Sequence, residues 1–171
     1  HATQFIVPLV LAGALALLRA VESGSHLALF FSGLLFGLAF VVKQHAVFFI
    51  AFALIYFVWS SARKTSTDRR TTAVQGVLFL IAAAVPFGIT CALLYSAGVF
   101  NSFWFWTFSY GSRYVTENSM ARALDEFVYR TAIAAKHCEW IWAMAGIGLV
   151  FVFWSRPVRR HGVFVVGLTL F

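Results

Sequence analysis

Apolar runs long enough to cross a bilayer, separated by short basic clusters, constrain this chain more than any other feature. A membrane-crossing helix takes roughly 20 residues of largely apolar sequence. The runs fall at about 4–18, 27–42, 46–59, 72–97 and 140–154, and residues 162–171 begin another. Charged residues make up 11% of the chain against 61% hydrophobic. Soluble domains carry about a quarter charged residues. That leaves too little polar surface to cover a water-soluble globule. The fold class expected is therefore all-α, a polytopic transmembrane helical bundle.

The net charge of +7 first raises nucleic acid as a partner. The cations, however, sit in the gaps between apolar runs, where orientation in a membrane explains them better. Arg19, then Arg63, Lys64, Arg69 and Arg70, then Arg156, Arg159 and Arg160 are eight of the 13 basic residues, and alternating runs bring them to one side. The other side receives Lys43 and, spread thinly, Arg113, Arg122, Arg130 and Lys136. Short basic loops stay in the cytoplasm. This predicts a multi-pass plasma membrane protein with basic loops 61–71 and 155–161 inside and the long loop 98–139 outside. Membrane lipids are the expected surroundings, and nucleic acid is not an expected partner. The chain starts at His1 without a Met and ends ten residues into an apolar run, so it reads as an internal piece of a longer protein.

The runs 27–42 and 46–59 are each slightly short, and together too long for one helix. A tight hairpin with Lys43 at its tip keeps the charge alternation. A single helix with Lys43 at mid-membrane breaks it.

Lys43-Gln44-His45 is the tripeptide with most chemical content. One account makes Lys43 an interfacial anchor, its ammonium snorkelling to headgroups. The other makes it a cation for a lipid phosphate or pyrophosphate, with Gln44 and His45 as hydrogen-bond partners. The aromatic stretch from Phe100 to Tyr114 is the second feature. At helical spacing Phe103, Trp106, Tyr110 and Tyr114 share a face, and Trp104, Phe108 and Gly111 form an adjoining stripe. It suits an outer interfacial helix, either as a plain aromatic belt or as the wall of a lipid–sugar site. Tyr110, Arg113 and Tyr114 would be the polar contributors to such a wall. Glu117 to Lys136 is amphipathic, with Leu124, Phe127, Val128 and Thr131 opposite Asp125, Glu126 and Arg130, and reads as a second surface helix.

Cys91 and Cys138 have no metal-ligand or disulfide spacing and read as packing residues. No Gly-rich phosphate loop, zinc-type cluster or Gly-x-Ser-x-Gly elbow occurs. No cofactor is expected, and divalent-metal use is left open. Gly33-x-x-x-Gly37 is the pattern of helices that approach closely.

The stretch Ser32-Gly33-Leu34-Leu35-Phe36-Gly37-Leu38-Ala39-Phe40-Val41-Val42-Lys43-Gln44-His45-Ala46 resembles a known hairpin. It is similar to the Gly-Leu-x-x-Gly-Leu-Ala-x-x-x-Lys-Gln pattern of bacterial glycosyltransferases of family 39. These are relatives of the dolichyl-phosphate-mannose protein mannosyltransferases and of the aminoarabinose lipid A transferase. The run Phe103 to Tyr110, with Tyr114 after it, resembles their outer loop, and the order of elements agrees. The resemblance implies a GT-C fold and transfer of a sugar from a polyprenyl-phosphate carrier on the outer face. It implies that Lys43 lies near the carrier phosphate. It also implies a catalytic acid in the first outer loop, ahead of the hairpin and so upstream of His1, leaving the catalytic residues unknown. A segment of a membrane transporter or lipid flippase is the rival, as is a non-catalytic membrane subunit. A transporter calls for internal repeats and charges at mid-membrane, and neither is visible. Sugar, acceptor and oligomeric state leave no mark in the sequence.

Overall fold

The computed structural model describes residues 3–64, 68–110, 120–137 and 139–154, together with 162, 164, 167 and 168. Every regular element among them is helical. The chain divides into two compact units, His1–Leu93 with Gly167–Phe171, and Leu94–Val166.

Among its described residues the first unit is built on four long helices. Helix α1 (Thr3–Ser23) buries Ile6, Val10, Ala14, Leu17 and Ala20, a stripe spaced by three and four residues. That spacing is one face of a helix. The helix stops at Gly24, whose φ of 70° is open to a residue without Cβ, and the Gly24 N–H returns to the Ala20 carbonyl at 2.8 Å. Ser25 then caps α2 (His26–Val42) by accepting the Ala28 N–H.

Helix α2 lies at the centre. Leu29, Ser32 and Phe36 are almost fully buried. The Phe36 ring meets Gly13 of α1, where an added Cβ would stand 3.2 Å from it. The Ser32 hydroxyl donates to the Gly13 carbonyl. On its other side α2 meets α4 (Arg69–Ser96) through Gly33 and Gly37. A Cβ on Gly33 would stand 2.5 Å from the Phe79 carbonyl oxygen, and one on Gly37 would run into the backbone of Ala83. Without side chains at these positions the two backbones come within touching distance. Edge-to-face ring pairs Phe36–Phe79 and Phe40–Phe87 close the same seam, at 6.3 and 5.3 Å between centroids.

Chain direction follows from these pairs. Contacts 33–79, 37–83 and 40–87 advance together, so α2 and α4 run parallel. The same end of the seam holds the His26–Gln75 pair, Nδ1 to Nε2 at 3.2 Å. Helix α3 (Val47–Ala62) runs back from the far end of α2, and beyond its last residue the Lys64 ammonium donates to the Val21 carbonyl at the end of α1. A cation there meets the negative pole of the α1 dipole. The ends of α1 and α3 and the starts of α2 and α4 therefore gather together, with Lys43 at the opposite end.

Helix α4 carries Pro86, buried, and the Thr90 hydroxyl donates to the Pro86 carbonyl at 2.9 Å. A hydroxyl of this kind re-satisfies backbone near a proline in a membrane helix. Among the described residues three segments are long and apolar enough to cross a membrane: Gln4–Ser23, Gln44–Ala62 and Arg69–Ser96. Leu27, Phe31, Ile55, Ile81 and Ile89 stand open on the outside of the bundle. Apolar surface on this scale is unsuited to water and suited to lipid. The chain is an all-α membrane bundle.

The second unit holds α5 (Phe100–Trp104), a π-helical turn (Phe105–Ser109), α6 (Met120–His137) and α7 (Glu139–Trp154). On α6 the Glu126 carboxylate accepts from Arg130 Nε at 2.7 Å, one turn apart. Both side chains are exposed, so the pair contributes only a few tenths of a kcal/mol, about what such pairs give.

Candidate functional site

The hairpin tip is built by the failure of α2 to continue. Ala39 is the last carbonyl of α2 to receive an ordinary return, from the Lys43 N–H at 3.0 Å. Lys43 itself is extended, at φ −155° and ψ 125°. Its carbonyl then accepts the Ala46 N–H at 3.0 Å, closing the tight turn Gln44–Ala46 that leads into α3. Ala46 is buried at 2% exposure and anchors this turn, while Lys43, Gln44 and His45 all face outward. Among the described residues none hydrogen-bonds the Lys43 ammonium. The turn thus presents a cation, an amide and an imidazole within three residues, on the rim of an apolar bundle. An ammonium with three free donors suits a phosphate. The imidazole and amide supply either a donor or an acceptor.

The aromatic segment belongs to the second unit. Trp104 packs on Phe108 at 4.6 Å and Trp106 on Tyr110 at 5.4 Å, as helical spacing predicts. Between them the backbone departs from that expectation. The Tyr110 N–H reaches the Phe105 carbonyl, five residues back, which is π-helical. The wider turn rotates the register, and Phe103 meets Phe108 edge-on at 6.4 Å. Two stripes expected to adjoin are brought into one cluster. Such turns recur at functional sites.

A cleft of about 280 Å³ opens here, lined by Phe100, Asn101, Trp104, Phe105 and Ser109. Tyr110, the next residue after Ser109, is half exposed. Asn101 and Ser109 are polar members of this cleft that sequence reasoning passed over. The one signal available was an Asn inside an otherwise aromatic run. Arg113 and Tyr114 lie outside the described residues. The structure brings together Lys43, Gln44 and His45 in the first unit, and places Tyr110 in an aromatic cluster of the second. No group of three His, Cys, Asp or Glu side chains forms a metal-binding set among the described residues.

The fold and the hairpin define a class first: an all-helical membrane protein with a cationic turn exposed at one end of its bundle. Residues 2–90 match the family model described as dolichyl-phosphate-mannose-protein mannosyltransferase. The match covers more than half of the 171 residues, and the chain belongs to that family of membrane glycosyltransferases. The matched segment takes in α1, the Gly33–Gly37 seam, the Lys43 turn and most of α4, and stops before the aromatic cluster. No curated protein and no solved structure matches the chain.

Proposed function

We propose that this chain serves an enzyme that moves a sugar from a polyprenyl-phosphate carrier to an acceptor on the outer face of the plasma membrane. The observation that carries the reading is Lys43, an ammonium without a partner among the described residues, at an exposed turn between apolar helices, inside the segment that matches the family. In such a transfer the acceptor oxygen bonds to the anomeric carbon as the bond from that carbon to the carrier phosphate breaks. The electron pair leaves on the phosphate oxygen, and the acceptor proton goes to a carboxylate base. A cation beside the departing phosphate stabilises the charge that develops there. Lys43 fills that role, with Gln44 and His45 as hydrogen-bond partners to the same phosphate. Tyr110, Arg113 and Tyr114 supply an aromatic and cationic wall for sugar or prenyl chain. The base lies in the outer loop that the family carries ahead of this hairpin.

The test is Lys43→Ala in the full-length enzyme, assayed with a polyprenyl-phosphate-sugar donor. Activity should fall at least tenfold, and Lys43→Arg should restore part of it. Helicity and membrane insertion should not change, because the side chain is exposed. Wild-type turnover in Lys43→Ala would remove Lys43 from the site.

A further inference from the structure

At the end of the first unit opposite Lys43, α3 and α4 diverge and leave a groove of about 640 Å³. That is within the range of about 300–1,000 Å³ typical of small-molecule sites. Its walls are aliphatic, with Leu54 and Val58 on α3 and Val77 and Leu80 on α4. Val58, Val77 and Leu80 remain 44–55% exposed, so among the described residues none covers the slot. Gly76 forms its floor, and a Cβ there would rest 3.6 Å from Leu54.

The mouth has the opposite character. Lys64 and Arg69 stand on either side of it, with the Thr72 and Ser61 hydroxyls just inside. One donor of the Lys64 ammonium is held by the Val21 carbonyl, which fixes its position and leaves two others. Arg63 lies over the Trp59 ring at 4.0 Å, so it adds charge without entering the mouth. Between residues 61 and 71 Arg63, Lys64, Arg69 and Arg70 outnumber the single carboxylate Asp68, and Glu22 in the last turn of α1 stands at the same end of the bundle. The Thr72 hydroxyl donates to the Asp68 carbonyl, so an open aliphatic slot ending in two cations and the Ser61 hydroxyl matches one molecule in two parts, an acyl chain and an anionic headgroup. Basic pockets between membrane helices bind anionic headgroups.

We propose that the α3–α4 groove is a binding site for an anionic membrane phospholipid, with one acyl chain over Gly76 and the phosphate between Lys64 and Arg69. This site is separate from the Lys43 turn, at the other end of the bundle, and stands whether or not Lys43 meets a carrier.

The experiment is native mass spectrometry of the full-length protein, released from detergent holding equal amounts of phosphatidylglycerol and phosphatidylcholine. Wild type should retain phosphatidylglycerol several-fold over phosphatidylcholine. Arg69→Gln, at an exposed side chain, should bring the two lipids to parity. Gly76→Phe, which fills the slot from its floor, should remove one retained lipid, whereas Gly88→Phe, at a glycine facing open space, should not. Circular dichroism confirms that each variant is folded. Equal retention of the two lipids by wild type overturns the proposal. So does wild-type retention in either Arg69→Gln or Gly76→Phe. Absence of any retained lipid, as when another protein segment covers the groove, overturns it too. Displacement of the lipid by glycerol phosphate alone would assign the site to a soluble phosphate instead.

Discussion

The Ser32 hydroxyl donates to the Gly13 carbonyl at 2.8 Å, tying α2 to α1 at a point where Ser32 has no exposed surface. Interhelical bonds of this type in membranes contribute about 0.6 kcal/mol on average and up to about 2. Ser32→Ala should therefore destabilise the first unit by roughly 1 kcal/mol, read as a shift in unfolding midpoint in mixed micelles. Ser32→Leu has no room beside Phe36 and should cost more. No shift in Ser32→Ala would mean that the bond adds nothing to the native bundle.

Gly33 and Gly37 make a sharper prediction. At either position a Cβ meets backbone of α4, which has no rotamer to yield. Gly33→Ala and Gly37→Ala should each cost about 1–3 kcal/mol through overpacking. Gly88→Ala, with nothing within 4 Å, is the control and should be near neutral. Thermal unfolding of the three variants in one detergent decides this, and equal midpoints would contradict the seam.

Sidedness is tested by single cysteines in a variant lacking Cys91 and Cys138. A cysteine at Asn118 should react with a membrane-impermeant maleimide from outside. One at Ser66 should react only after permeabilisation. The reverse pattern would invert the orientation that the basic loops predict.

Tyr110 separates ring from hydroxyl. Its ring rests on Trp106 and its side chain is 52% exposed. Tyr110→Phe should leave stability unchanged and raise the KM for the lipid-linked donor several-fold if the hydroxyl meets substrate. Tyr110→Ala should add a stability loss from the ring contact, about 0.5–1.5 kcal/mol for an aromatic pair. Unchanged kinetics in both variants would leave the cluster as an interfacial belt.

The all-helical membrane fold was legible because apolar run length is a local property of the sequence. So was the break at Lys43, where a charge and two polar residues follow a helix-long run. The close approach at Gly33 and Gly37 was legible as a capacity, but its partner was not. Nothing local to α2 names Phe79 and Ala83, since helix pairing is decided by the whole bundle. The His26–Gln75 pair was hidden for the same reason. The aromatic stretch was read with an even helical period, which found Trp104–Phe108 and Trp106–Tyr110 but not the π turn. One inserted residue carries no compositional signature, so Phe103 against Phe108 and the cleft beside Asn101 came only from the backbone.

Helix α4 is 28 residues long, about 42 Å at 1.5 Å per residue, and a hydrocarbon core is about 30 Å thick. Five of its first seven residues, Arg69, Arg70, Thr71, Thr72 and Gln75, are polar, and from Gly76 to Ser96 the remainder spans about 31 Å. The helix is therefore a depth gauge with a stalk of nearly two turns. Gln75, where the stalk ends, is tied to His26 at the head of α2, so both parallel helices enter the bilayer from one mark. A thicker or thinner membrane cannot slide one past the other without breaking that pair and the glycine seam below it. Mismatch must be absorbed by tilting the two together, which would carry the Lys43 turn sideways and change the height at which it meets a lipid headgroup.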